Sequence, residues 1–212
     1  MLVGERMKFP VITVHPDMPI HDALKLMRSE HIRRTPVVKK GKLVGIVSEK
    51  DLLNASPSPA TTLSIWELNY LLSKITVEEV MTKKVLTVTE DTPIEEAARI
   101  MADNKVGGLP VMRDDKLVGI ITETDLFKIL LEMMGAREPG VRVTILVRDE
   151  PGQLATISKA IFNAGGNFVA FGIFAGTDAT NRMVTFKADG ISAEQLREIL
   201  TPLVPAILDI RM

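Results

Sequence analysis

The chain contains no cysteine, which excludes disulfides, thiolate-bound metals and a thiol nucleophile, and fits a reducing cytoplasm as the expected location. Aromatic residues are scarce, at 4% with one Trp and one Tyr, so the stacking platforms that hold single-stranded nucleic acid are not expected. Charge of one sign is not in excess either: 26 Lys and Arg against 27 Asp and Glu leave a net charge of −1. No global basic field draws nucleic acid or anionic lipid, and neither is expected as a partner. Apolar runs stay short of the roughly 18 residues of a membrane span, and the opening MLVGERMKF lacks the apolar stretch of a signal peptide. His15, His21 and His31 do not have the spacing of a zinc-binding helix. A Gly-x-Ser-x-Gly elbow, a P-loop and a dinucleotide fingerprint are all missing. The expectation is a chain with no catalytic residues, no metal and no catalytic cofactor.

What is there is a repeat. Residues 7–52 and 81–126 align without a gap at a constant offset of 74 residues (Pro19 to Pro93, Gly45 to Gly119), and 19 positions are identical. Two copies of one supersecondary unit pack as a pseudo-symmetric pair, with sites in the cleft between them. Each copy reads β-α-β-β-α. Val11–Val14 is a short β-branched run, Asp17 and Pro19 cap and open a helix, and Ile20, Ala23, Leu24 and Met27 keep one helical face. Strands Thr35–Val38 and Leu43–Val47 follow, then a helix from Ser48; the second copy repeats this with Leu109–Met112, Leu117–Ile121 and a helix from Thr122. Asn54–Thr62 reads as a loop and Leu63–Ile75 as a helix carrying Trp66 and Tyr70, which either pack on the body or cover a ligand. After Gly135–Gly140 the pattern changes to β-α-β-β-α-β, the ferredoxin-like split βαβ order. The fold class expected is therefore α+β. Its divisions are 1–54 and 77–134 for the repeats, 55–76 and 135–140 for the connections, and 141–212 for the last domain.

The sharpest local signal is GIVSEKD at Gly45–Asp51, repeated as GIITETD at Gly119–Asp125. A hydroxyl residue opens a helix and a carboxylate follows three residues later, which is a helix capping box. The same geometry offers free N–H groups to an anion, and the acid could accept hydrogen bonds from a ribose diol.

The repeat, with Thr13-Val14, Arg34-Thr35-Pro36-Val37 and GIVSEKD, closely resembles the CBS (cystathionine β-synthase) domain, two of which form a Bateman module. The resemblance covers roughly residues 1–133. It implies clefts that bind AMP, ADP, ATP, S-adenosylmethionine or related adenosyl ligands, as regulators rather than catalytic cofactors. By that resemblance Asp51 and Asp125 hold ribose hydroxyls, and Ser48 and Thr122 sit near phosphate. Thr13, Thr87, Ile46, Ile120, Val37 and Val111 line the adenine pocket. Thr35, Pro36, Gly108 and Pro110, on the second strands, are by the same resemblance further nucleotide-binding positions. A basic residue just before that strand grips phosphate in related modules. Arg33 and Arg34 fill that place in the first copy, or else are solvated surface charge, while the second has Gly107 and Gly108. The Asp51 site is thus expected to be the better one, and the Asp125 site weak, empty or served by basic groups from elsewhere.

In the C-terminal segment, Asp149-Glu150-Pro151-Gly152-Gln153-Leu154 and Ala164-Gly165-Gly166-Asn167 resemble an ACT domain. That resemblance implies amino-acid binding at Asp149, Gly152 and Asn167, or pairing alone; Pro-Gly and Gly-Gly-Asn also serve as helix start and stop. The order CBS, CBS, ACT resembles the acetoin-utilisation (AcuB-like) family. Together these resemblances imply a non-catalytic sensor of an adenine nucleotide, homodimeric, acting on an unknown effector protein. The alternative is a constitutive interaction scaffold with degenerate clefts.

Overall fold

A computed structural model describes residues 1–55 and 74–212. The expected connecting helix with Trp66 and Tyr70, and most of the loop before it, lie outside the described residues. The described chain divides into two compact units, Met1–Leu126 and Phe127–Met212.

In the first unit, α1 (Ile20–Ser29) buries Ile20, Ala23 and Met27, an i, i+3, i+7 stripe. Its N-cap is Pro19, whose carbonyl accepts from the Ala23 N–H, with no side-chain cap. Asp17, expected as the cap, stands too early in the chain; its own N–H donates to His15 Nδ1 at 3.4 Å. A hairpin of β1 (Arg34–Lys39) and β2 (Lys42–Ser48) follows, then α2 (Glu49–Asn54). The expected strand at Val11–Val14 is reduced to one bridge, Val14 beside Val37.

The second copy starts with α3 (Val77–Val80) and β3 (Val88–Thr89), which pairs parallel to β4 (Gly108–Arg113). Between these strands lies α4 (Ile94–Asn104); after them come β5 (Lys116–Thr122), antiparallel to β4, and α5 (Glu123–Met133). The helix α5 begins in the first unit and ends in the second.

The two copies exchange their leading segments. The Lys8 N–H donates to the Ile120 carbonyl at 2.9 Å and the Ile120 N–H returns to Lys8 at 3.2 Å. The symmetric pair is Thr82 with Ile46, at 2.9 and 3.0 Å. Val77 completes the core of the first copy with Val14, Met27, Val37, Val47 and Leu52. Gly45 and Gly119 make room at this crossing: a Cβ on either would strike the sulfur of Met81 or Met7, which would have to move. The repeat in sequence is therefore not the packing unit, since residues 3–8 sit on the second copy and residues 77–82 on the first.

The second unit contains β6 (Val141–Arg148), α6 (Gln153–Asn163), β7 (Asn167–Ala175), β8 (Asn181–Asp189), α7 (Ala193–Leu200) and β9 (Ala206–Arg211). The antiparallel sheet has the order β7-β8-β6-β9, a split βαβ arrangement. Alternating Val143, Ile145 and Val147 meet Ile157 and Ile161 of α6 and Leu196 and Leu200 of α7. Phe186 sits among them 1% exposed, edge-on to Phe168 at 5.2 Å between ring centroids. Among the described residues, no helix is long and apolar enough to cross a membrane.

Phe186→Ala removes a fully enclosed ring, and a loss of about 3–5 kcal/mol in stability is expected by urea denaturation. A loss under about 1 kcal/mol would mean that the ring's surroundings collapse to fill the space.

Candidate functional site

A cavity of about 600 Å³ opens between the two copies at the end of β2 and the start of α2. Its apolar wall comes from Ile46, Leu53, Val85, Leu86 and Val106, and its polar rim from Ser48, Asp51, Arg33, Arg34, Lys50, Lys84 and Lys105. That volume lies within the usual range for small-molecule sites, and an apolar wall with a few placed charges is their usual lining. Five cations against the carboxylates of Glu49 and Asp51 leave the rim positive, which favours an anionic ligand. A smaller cavity of about 200 Å³, the second cleft, is bordered by Lys8, His31, Ile32, Arg33, Arg34, Gly107, Ile120, Thr122, Glu123 and Thr124.

The capping box expected from the first motif is complete, with the Asp51 N–H donating to the Ser48 hydroxyl at 3.2 Å, and the second motif shows its carboxylate half. Ser48 donates to Asp51 Oδ2 from its N–H at 2.8 Å and from its hydroxyl at 2.6 Å. Thr122 does the same to Asp125 Oδ2, at 3.0 and 2.6 Å. One carboxylate oxygen is thus committed to holding the helix start. The other differs between copies: Asp125 is 6% exposed with Lys8 Nζ 3.8 Å from Oδ1. Thr82 holds the position corresponding to Lys8 in the first copy, so Asp51 borders its cavity without such a lysine.

Arg34 decides the shape of the site. Its side chain, 22% exposed, lies across Gly107 and Gly108, and its guanidinium reaches Glu123 at 3.9 Å. A Cβ on Gly107 would strike the guanidinium nitrogens, and one on Gly108 would come within 2.7 Å of Arg34 Cδ. Burial pulls its pKa below the ordinary arginine value, partly offset by Glu123; repulsion from Arg33 lowers it further and Asp51 raises it. The group stays protonated at any pH the protein meets. Arg33 donates to the Thr124 hydroxyl at 3.0 Å.

The other positions named from the sequence scatter. Ser48, Asp51, Ile46, Arg33, Arg34 and Gly108 border the large cavity, and Ile120 and Thr122 border the small one. Thr13 and Thr87 are exposed and border neither; Val37 and Val111 are fully buried in the cores. Thr35 is buried and donates its hydroxyl to the Ile12 carbonyl, while Pro36 and Pro110 are buried strand residues. In the second unit, Asp149 follows β6, accepts from Arg182 at 3.0 Å and sits beside the start of β8; Asn167 pairs with Asp189 at the far end of that strand. Eight residues at about 3.4 Å each separate the two ends, so within one chain Asp149 and Gly152 do not meet Asn167. The reason is that α6 carries the chain back along the sheet before β7 begins.

Sequence reasoning missed Lys50, Lys84, Lys105, Val85 and Leu86. The last two and Lys84 reach the cavity only because the leading segments cross over. The paired lysines Lys83-Lys84, next to the crossing, were the available signal.

The CBS-domain family profile matches residues 3–58 and 77–132. The chain belongs to the CBS-domain family. It carries the domain as a tandem pair, within a mixed α+β fold. It is 36% identical over 155 residues to the uncharacterized protein MJ1426 of Methanocaldococcus jannaschii, covering 62% of this chain and 92% of that one. The crystal structure of the CBS domain pair of MJ0100 with 5′-methylthioadenosine and S-adenosyl-L-methionine is similar at 31% identity and a TM-score of 0.52. That match spans 65% of this chain and 98% of the other. The crystal structure of a putative acetoin utilization protein (AcuB) from Vibrio cholerae is similar at 35% identity and TM-score 0.52, over 66% of this chain and 98% of that one.

Gly107→Ala displaces the Arg34 guanidinium, which is the far end of a flexible side chain. Stability is expected to stay within about 0.5 kcal/mol of wild type in thermal melts, while a crystal structure shows the guanidinium moved off the second copy. An unmoved Arg34 would contradict the close packing described.

Proposed function

We propose that this chain is a non-catalytic regulatory protein that binds a phosphate-bearing adenosyl ligand, AMP, ADP, ATP or a relative, in the cavity beside Asp51. The observation that carries the reading is the pairing of an apolar wall with two carboxylates, Glu49 and Asp51, and five cations, in a CBS pair similar to one solved with adenosyl ligands. The free oxygen of Asp51 accepts from a ribose diol, and Ile46, Val85 and Val106 pack on the base. Arg34 and the lysines hold phosphate, with Arg offering a two-pronged donor face. The ligands of the MJ0100 pair carry no phosphate. The cationic rim here is the reason for assigning a nucleotide instead.

Ligand changes the packing of the two copies, or of two chains, only as far as it prefers one arrangement, typically by about 1–3 kcal/mol of coupling. The output passes to an effector protein. The second unit is assigned as an ACT domain that pairs two chains, with an amino acid as its candidate ligand. Asp149 and Gly152 of one chain would then face Asn167 of another, since one chain alone does not bring them together. A role in acetoin utilisation follows the same likeness as the V. cholerae protein.

A thermal-shift screen of adenine nucleotides, S-adenosylmethionine and amino acids tests the reading. Ligand at 100 times its Kd adds about 2.7 kcal/mol of stability; no shift with any of them would favour the scaffold. By calorimetry, Arg34→Ala is expected to weaken nucleotide binding about tenfold or more, the loss of a charge-assisted hydrogen bond. An unchanged affinity removes Arg34 from the site.

A further inference from the structure

We infer that Arg33 and Arg34 form one anion clamp shared by the two clefts, so that phosphate bound in either cleft opposes phosphate binding in the other. The inference rests on the reading of the Asp51 cavity as an adenosyl site, and adds that the second cleft takes the same ligand and how the two are coupled. Both arginines border the large cavity and the small one. At rest both lean to the second cleft, Arg33 on the Thr124 hydroxyl at 3.0 Å and Arg34 on Glu123 at 3.9 Å. Arg34 also feels the attraction of Asp51 in the first cleft. No second pair is available, because the corresponding residues are Gly107 and Gly108, which make room for Arg34 itself.

The two clefts differ in what remains when the clamp leaves. Lys50, Lys84 and Lys105 border the first; the corresponding residues are Thr124 and His31, which border the second, and Pro10, which does not. The Lys8 ammonium there stands against Asp125 at 3.8 Å. Phosphate in the first cleft draws Arg34 off Glu123, and the bared carboxylate then repels an anion from the second cleft. By linkage the effect is mutual. It depends on ligand charge, so an adenosyl ligand without phosphate escapes it.

Calorimetry on the full chain reads this directly, with AMP as the anionic probe and 5′-methylthioadenosine as the phosphate-free one. The affinity of the second cleft for AMP is measured in wild type, where the first cleft fills first, and in Asp51→Asn, where the first cleft is impaired. Lys84→Glu, on an exposed lysine outside the capping box, gives the same comparison should Asp51→Asn fail to fold. The second cleft is expected to bind AMP at least about tenfold more tightly when the first is impaired, within the range usual for coupled sites. The difference is expected to vanish for 5′-methylthioadenosine, and with Arg34→Gln in the background. Equal affinities, equal coupling for both probes, or a folded variant that binds no AMP would overturn the shared clamp and leave the adenosyl reading standing. Wild-type protein that binds neither probe removes both.

Discussion

Everything at the site depends on the exchange of leading segments between the two copies. The backbone pairs Lys8–Ile120 and Thr82–Ile46 clamp each copy's β2-type strand with a segment from the other copy. A backbone hydrogen bond has a modest net worth in water, but breaking one in a buried setting leaves its partners unsatisfied. The crossing therefore fixes the distance between the copies, and the cavities are the space left over. Met7 and Met81 fill the gaps that Gly119 and Gly45 leave open, which keeps the contact close on both sides.

Within that frame the same residues serve folding and chemistry. Asp51 spends one oxygen on a capping box and borders the large cavity, so its motif reads equally well as a helix start and as a ribose anchor; Asp125 has Lys8 on its other oxygen and borders neither cavity. The geometry shows these readings to be compatible rather than rival, because the second oxygen is not needed by the cap. Arg34 has a similar double position: partly buried against backbone, yet bordering both cavities.

The sequence pattern made the architecture of both units readable. The offset of 74 residues located the paired copies, the periodicities of α1 and α4 located their buried faces, and alternation at Val143, Ile145 and Val147 located β6. What stayed hidden was whatever depends on chain crossing. Lys84, Val85 and Leu86 belong by sequence to the second copy and by space to the cavity at Asp51. Thr13 and Thr87 failed to reach a cavity for the complementary reason: they precede short or single-bridge pairings and stay exposed. Local pattern reports which face of an element is buried, but not which partner buries it.

The seat that Gly107 and Gly108 make for Arg34 bears on how such a chain can arise. Two identical copies of the first repeat, paired in this geometry, would point two Arg33-Arg34 pairs at one another. Four guanidinium groups would then contend for the space that one now fills, with like charges repelling at short range. Glycines in one copy remove that repulsion and leave the remaining guanidinium a seat. The inequality of the two halves thus eases their close packing.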